Sequence, residues 1–175
     1  MPLTNHEDCV LVVIDVQPGF GGDADVLARM HWLTTLARAL DVPVVVTEEE
    51  PERHGPTRAG FVEDGTAVFR KPTFGLAGTP EILQAVKQPQ RNTAVLVGFE
   101  TDVCVYQSAV GLLDHGFNVI VVEDAVGSAG EMHARGLNRL RDAGVTLTHC
   151  KGLAYEWVRT VEGAKALPRP APFAL

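Results

Sequence analysis

Short apolar segments alternate with longer amphipathic segments along almost the whole chain. The apolar segments are rich in Val and Ile without strict polar alternation, which predicts strands covered on both faces of a sheet. The six predicted strands are Cys9 to Ile14, Pro43 to Thr47, Thr66 to Phe69, Thr93 to Val97, Asn118 to Val122 and Val145 to Thr148. Because this alternation is typical of stacked βαβ units, we expect a doubly wound α/β fold with a mainly parallel sheet.

The segments between the strands show helical spacing of their apolar positions. The predicted helices are Ala24 to Leu40, Pro80 to Val86, Val103 to Asp114, Glu131 to Asp142 and Leu153 to Val161. The stretch from Glu48 to Gly65 has no clear periodicity, so it is predicted to form a long surface loop after the second strand. Long loops in compact domains are often functional.

Length and charge limit the kinds of protein that fit this pattern. The 175 residues predict a single domain over 1–175 with a Pro-rich C-terminal tail at 164–175, which we expect to lie extended on this subunit or a neighbour. The net charge of -7 disfavours nucleic acid and anionic membranes as partners. No apolar run approaches the roughly 20 residues that cross a bilayer, and the N-terminus lacks a secretory pattern, which predicts a cytoplasmic protein.

Three cysteines, Cys9, Cys104 and Cys150, are too few and odd in number for a disulfide framework, so we expect reduced thiols. Cys104 falls in the first turn of a predicted helix, where free amides and the helix dipole lower a thiol pKa. Cys9 starts a strand at the opposite edge of the sheet. Cys150 follows the sixth strand beside His149, which would point to the opposite face. Cys104 is therefore the strongest candidate nucleophile, and its alternative role is that of a small buried apolar residue.

Charged residues follow two other strands at the same edge of the predicted sheet. Asp15 comes directly after the first strand, and Lys71 follows the third. Taken singly, Asp15 could cap a turn and Lys71 could be a surface charge. Together with Cys104 they supply a carboxylate, an ammonium and a thiol, which suffice for covalent catalysis. No histidine is well placed to serve Cys104, although His54 and His149 remain alternatives.

Three segments carry a resemblance to the isochorismatase-like cysteine hydrolases. These are Leu11-Val12-Val13-Ile14-Asp15-Val16-Gln17, Lys71 with Phe74, and Gly98-Phe99-Glu100-Thr101-Asp102-Val103-Cys104-Val105. The resemblance covers nearly the whole chain and implies a three-layer α/β/α sandwich with strand order 3-2-1-4-5-6. It also implies a catalytic triad of Asp15, Lys71 and Cys104, an oxyanion site made by the backbone amides of Glu100 and Cys104, and a cis Phe99–Glu100 peptide bond.

Two differences from well-defined members of this family narrow the place of this chain within it. Metal-binding nicotinamidases, which this chain resembles, carry an Asp-x-His motif after the second strand, where this chain reads Thr47-Glu48-Glu49-Glu50-Pro51. We therefore expect no metal and no other cofactor. Isochorismatases proper lack the nucleophilic cysteine, so Cys104 argues against that activity. The short length adds a resemblance to small isochorismatase-domain proteins.

These observations predict hydrolysis of a C–N bond in a small amide through a thioester intermediate. Phe20, Phe74 and Phe99 are candidates for the pocket wall, with core packing as the alternative, and Glu48 is a candidate for binding a polar end of the substrate, with a solvated loop charge as its alternative. A binding or scaffold protein that keeps the fold is one rival function. A thiol redox protein is another, disfavoured because Cys104 has no resolving cysteine at Cys-x-x-Cys spacing. The apolar composition and the tail predict a homo-oligomer.

Overall fold

The computed structural model describes residues 3–167 of the chain. Six strands form one parallel sheet in the order β3-β2-β1-β4-β5-β6. Their bounds are β1 Cys9–Ile14, β2 Val44–Glu49, β3 Val68–Lys71, β4 Thr93–Phe99, β5 Asn118–Gly127 and β6 Thr146–Thr148. The predicted fold class and strand order are thereby confirmed.

Helices flank the sheet and supply the crossovers between strands. The α-helices are α1 Ala24–Ala39, α2 Pro51–His54, α3 Pro80–Lys87, α4 Tyr106–Asp114, α5 Met132–Asp142, α6 Cys150–Val158 and α7 Val161–Lys165. A π-helical turn, Thr101–Val105, leads into α4. Within residues 3–167, none of the helices combines the length and apolar character that crossing a membrane requires.

The alternating directions of the side chains in β1 explain why the sequence lacks polar alternation. Leu11 and Val13 pack into one apolar cluster, whereas Val12 and Ile14 pack into a second cluster on the other side of the sheet. Every residue of β1 is buried because helices cover both faces. The first strand therefore forms the centre of the core, and its C-terminal end opens toward the edge where ligands bind in such folds.

Several predicted boundaries differ from the structure. The third strand, predicted as Thr66 to Phe69, runs Val68–Lys71, and the fifth, predicted as Asn118 to Val122, continues to Gly127. β2 continues through Glu49, and the following α2 is helical, so the predicted loop begins later than expected. The predicted last helix is two helices, because Arg159 adopts a left-handed conformation with φ 63° and Thr160 caps α7. The first residues of the predicted tail, Ala164 and Lys165, belong to α7, and the tail residues 168–175 lie outside the described part of the chain.

Candidate active site

Asp15 occupies the turn that follows β1. Its backbone has φ 51°, and its backbone N–H donates to the Thr47 carbonyl oxygen over 3.1 Å. The side chain is completely buried, with Oδ1 accepting a 2.8 Å hydrogen bond from the Thr47 hydroxyl. Oδ2 lies 2.6 Å from Lys71 Nζ. Both oxygens are thus held in place by neighbouring strands.

Lys71 is the last residue of β3 and connects the carboxylate to the sulfur. Its side chain is 0% exposed, and Nζ lies 3.4 Å from Cys104 Sγ as well as 2.6 Å from Asp15 Oδ2. Nζ also donates to the carbonyl oxygen of Thr73 over 3.3 Å. An ammonium this deeply buried requires compensation by opposite charge and hydrogen-bond acceptors. The three predicted triad residues therefore meet at one point, here called the Asp-Lys-Cys cluster.

The switch in strand order brings Cys104 to this point. The chain leaves β1 toward β2 on one side, whereas β4 packs on the other side of β1 and leads to the π-helical turn that contains Cys104. Gly98 is required where β4 passes β1, because a Cβ atom there would lie 1.9 Å from the Ile14 carbonyl oxygen. Cys104 is 1% exposed, and the end of β4 places it beside Asp15.

The pKa of Cys104 differs from the expectation for a helix-start thiol. Burial raises the pKa of Cys104, and the carboxylates of Asp15 and Glu49 raise it further, while Lys71 opposes them only in part. The expected lowering by helix amides is therefore wrong for the free protein, since desolvation outweighs it. Burial also raises the pKa of Asp15 despite the adjacent Lys71 ammonium. The resting cluster consequently holds a thiol beside a carboxylate that is a stronger base than usual.

Glu49 contacts the sulfur and was missed by the sequence reasoning. The Cys104 thiol donates to Glu49 Oε2 over 3.3 Å, and the same oxygen lies 3.8 Å from Lys71 Nζ. In the sheet, Glu49 is in register with Lys71. Thr47, two residues earlier on β2, shares its face of the strand. A predicted β2 that continued two residues further, to Glu49, would have placed the Glu49 side chain on the same face as Thr47.

Glu48, predicted to bind the substrate, points to the opposite face of β2 from Glu49. Its Oε1 accepts hydrogen bonds from the backbone N–H of Thr57 over 2.6 Å and from the Thr57 hydroxyl over 2.8 Å. Glu48 thus holds the loop after α2 in place and is not a freely solvated charge. Its contact with a substrate stays a prediction.

Gln17 is a second residue that the sequence reasoning missed. It is fully buried, and its side chain accepts from the Glu49 backbone N–H at 2.8 Å and donates to the Glu49 carbonyl at 3.0 Å. It also donates to the Gly55 carbonyl over 2.6 Å. The end of β2 and the end of α2 are thereby fixed relative to the turn after β1.

The three predicted pocket aromatics occupy different environments. Phe99 is 2% exposed and belongs to the core, where its ring lies against Gly22 and Gly127. Core packing, the alternative stated for it, therefore describes Phe99. Phe20 stacks on His54 with ring centroids 4.4 Å apart, and Phe74 is 51% exposed. Phe20 and Phe74 stay candidates for contact with a ligand.

Residues that follow β5 and residues of α5 contact the π-helical turn that carries Cys104. The Ser128 hydroxyl donates to Asp102 Oδ1 over 2.6 Å, and Thr101 Oγ1 lies 3.0 Å from His133 Nδ1. Gly136 of α5 approaches so closely that a Cβ there would lie 2.8 Å from the Asp102 backbone nitrogen. Substituting Gly136 would push the turn away from α5 and displace the nucleophile.

Glu100 precedes this turn and is joined to Phe99 by a cis peptide bond, as the resemblance implies. The Glu100 carbonyl accepts hydrogen bonds from the backbone N–H groups of Val103 and Val105. Burial raises the pKa of the Glu100 carboxyl, and the charges of Asp102 and Glu49 add to the effect. The ionised form of Glu100 is therefore disfavoured by burial and by the neighbouring carboxylates.

The other predicted alternatives lie away from the cluster or have other contacts. His149 caps α6 by accepting from the Gly152 backbone N–H, and the Cys150 backbone N–H donates to Asp124. His54 is stacked on Phe20, and its ring nitrogen lies near the carboxylates of Glu49 and Glu50.

Within residues 3–167, two groups of side chains could in principle hold a metal ion. Ligand atoms of Asp15, Glu49 and Cys104 lie within 4.8 Å of one another, as do those of Glu49, Glu50 and His54. In the first group the Lys71 ammonium already lies between the carboxylate of Asp15 and the sulfur. The side chains of Asp15, Glu49 and Cys104 thus suit the Lys71 ammonium better than a divalent cation.

The fold and the site together define a doubly wound α/β protein with a buried aspartate, lysine and cysteine at the switch between β1 and β4. Residues 9–151 match the isochorismatase domain, and the chain belongs to that family. It is 32% identical to isochorismatase domain-containing protein 2 of Xenopus laevis over 144 residues, which are 78% of this chain and 70% of the relative.

Solved structures show the same architecture. The YcaC gene product of Escherichia coli, an octameric hydrolase of unknown specificity, superposes with a TM-score of 0.89 at 22% identity, covering 95% of this chain and 89% of the other. The MAR1 ribonuclease of Caenorhabditis elegans superposes with a TM-score of 0.85 at 26% identity, covering 99% and 98%. At these identities the E. coli protein supports the fold, and the predicted family is confirmed by the sequence match.

Proposed function

We propose that the protein is a cysteine-dependent hydrolase that cleaves a C–N bond in a small amide through a thioester. The observation that carries this proposal is the position of Lys71 Nζ, 2.6 Å from Asp15 Oδ2 and 3.4 Å from Cys104 Sγ. A buried ammonium shared by a carboxylate and a sulfur can stabilise the thiolate that forms when the thiol loses its proton. Asp15, Lys71 and Cys104 are then the catalytic triad.

In the first half-reaction Asp15 takes the proton from Cys104 as Sγ attacks the amide carbon. The Sγ–C bond forms, and the carbonyl electrons move onto oxygen. When the tetrahedral intermediate collapses, the C–N bond breaks and Asp15 delivers the same proton to the departing nitrogen. The raised pKa of Asp15 suits both directions of this transfer.

In the second half-reaction water replaces the amine. Asp15 accepts one proton from the water, whose oxygen attacks the thioester carbon. The C–S bond breaks, the proton returns to Cys104, and a carboxylic acid leaves. The backbone amides of Glu100 and Cys104 are proposed as oxyanion donors in both halves, each worth about 3 kcal/mol in the transition state.

A panel of small amides assayed for ammonia release tests the activity directly. An intact Asp-Lys-Cys cluster disfavours a scaffold that only keeps the fold. A redox role is disfavoured because Cys104, Cys9 and Cys150 are separate buried free thiols. Because the C. elegans structure is a ribonuclease, RNA is tested beside the panel by gel electrophoresis of its cleavage products, although the net charge of -7 makes a polyanion a poor substrate.

Catalysis is proposed to need no metal. We expect dialysis against a chelator to leave the rate of amide hydrolysis unchanged, because Lys71 supplies the positive charge inside the cluster. Elemental analysis of the purified protein, made before and after dialysis, checks the result. Stoichiometric zinc or iron whose removal abolishes turnover would show that Glu49, Glu50 and His54 serve a metal instead.

We also propose a homo-oligomer in the cytoplasm. The E. coli neighbour is octameric, and exposed apolar side chains such as Phe74 and Val161 offer surface for contacts between copies. Three free cysteines fit a reducing compartment. Light scattering across micromolar concentrations should give a mass of several chains, and a monomer throughout that range would contradict the proposal.

A further inference from the structure

Glu49 brings a second carboxylate to the reacting sulfur, and the proposed mechanism does not use it. We propose that Glu49 selects the substrate: the site takes a small amide that carries a positively charged nitrogen group, an ammonium or a guanidinium, next to the scissile bond. The same carboxylate excludes amides that carry a carboxylate at that position. This inference rests on the proposed hydrolysis at Cys104 and adds the charge of the substrate to it.

The first support is the balance of charge around Cys104. Asp15 and Lys71 form a 2.6 Å ion pair and are both 0% exposed, so their charges compensate each other. The Glu49 side chain is 15% exposed and lies farther from Lys71, at 3.8 Å. It is therefore the carboxylate of this group that an entering molecule can reach, and its charge is left for a ligand to neutralise.

Further carboxyl groups lie near Glu49. The half-buried carboxyl group of Glu100 interacts electrostatically with Glu49. Ligand atoms of Glu50 and His54 lie within 4.8 Å of the Glu49 carboxylate, and of these two residues only His54 can carry positive charge. Two arginines of this edge are matched by other carboxylates, Arg53 by Glu50 and Arg70 by Glu52. A cationic group would thus meet a favourable field, whereas an anionic group would meet repulsion that partial burial strengthens.

The second support is that Glu49 is held rigidly. Gln17 binds both its backbone N–H and its carbonyl, and the register of the sheet sets Glu49 beside Lys71. Its Oε2 accepts from the Cys104 thiol, and no donor among residues 3–167 is seen to bind its Oε1. A carboxylate fixed this way is prearranged for a charge-assisted hydrogen bond to a nitrogen group.

The charge preference can be measured without turnover by labelling Cys104. Two methanethiosulfonate reagents of similar size are used, one ending in an ammonium and one in a sulfonate, and peptide mass spectrometry separates Cys104 from Cys9 and Cys150. We expect the cationic reagent to react faster with the native protein. Glu49→Gln should reduce the ratio of the two rates about tenfold, because it removes the charge that distinguishes the two reagents. A change in the reactivity of the thiol affects both rates equally and cancels in the ratio.

The matched control is Glu52→Gln, which removes the same charge from an exposed carboxylate paired with Arg70. It should leave the ratio within about twofold of the native value. If Glu49→Gln does not fold by circular dichroism, Glu49→Leu removes the charge by another route. A ratio near one in the native protein, a ratio unchanged by loss of Glu49, or no labelling of Cys104 by either reagent would overturn the proposal.

A second assay compares three amides of similar size: 3-aminopropanamide, butanamide and succinamate. We expect kcat/KM to fall in that order. Glu49→Gln should reduce the differences in kcat/KM among the three amides. If none is hydrolysed while labelling still shows the Glu49-dependent preference, the proposed hydrolysis fails and the charge selection stands. If all three are hydrolysed equally by both proteins, the charge selection fails and the hydrolysis stands.

Discussion

Cys104→Ala is expected to lower kcat for amide hydrolysis by about four orders of magnitude, to the level of the uncatalysed background of the assay. The alanine keeps the fold of the π-helical turn but cannot form the thioester, so that both half-reactions are lost together. Ammonia release is the measurement. The free energy of unfolding should change little in comparison, because only one sulfur atom is removed from a buried position.

Cys150→Ala is the control for this variant. Cys150 is also fully buried, but it begins α6 and packs in the apolar cluster on the other face of the sheet. It should retain native turnover after a similar loss of packing. Full activity in Cys104→Ala, or equal losses in both variants, would contradict Cys104 as the nucleophile.

Lys71→Met is expected to abolish turnover and to lower the free energy of unfolding by about 3 kcal/mol or more near neutral pH. The side chains of Lys71 and Asp15 are both 0% exposed, so the variant leaves an uncompensated carboxylate in the core. Urea unfolding measures the loss. The double variant Asp15→Asn with Lys71→Met should recover most of the stability while remaining inactive.

The loss in Lys71→Met should depend on pH with a definite sign. Burial raises the pKa of Asp15 above its ordinary value of 3.8, and removing the Lys71 ammonium raises it further. At a pH between the unfolded pKa of Asp15 and its raised pKa in the folded variant, the folded chain binds more protons than the unfolded chain. The stability of the variant therefore falls as pH rises through this range. The deficit should therefore be smaller at about pH 5 than at neutral pH. A deficit that grows on acidification would contradict a buried Asp15 carboxylate as its cause.

The sequence did not predict the roles that burial and contacts give to particular residues. Glu48 and Glu49 are adjacent acidic residues in a run of three, and the sequence reasoning chose Glu48 as the substrate-binding candidate and passed over Glu49. The structure turns Glu49 toward Cys104 and fastens Glu48 to Thr57, because β2 continues two residues longer than its apolar core indicates. Phe99 likewise lies beyond the predicted end of the fourth strand, yet it is the last residue of β4 and its ring packs into the core.

The apolar pattern of the sequence by itself determined the six strands, the doubly wound class and the placement of Asp15, Lys71 and Cys104 at strand ends. These are local properties, since strand and helix periodicity follow from neighbouring residues. The strand order came from the resemblance. Only the tertiary structure decided the pKa of Cys104, which burial and two carboxylates raise against the effect of a helix start. Desolvation and Coulomb energies depend on distances between segments far apart in the chain, and no local pattern encodes those distances.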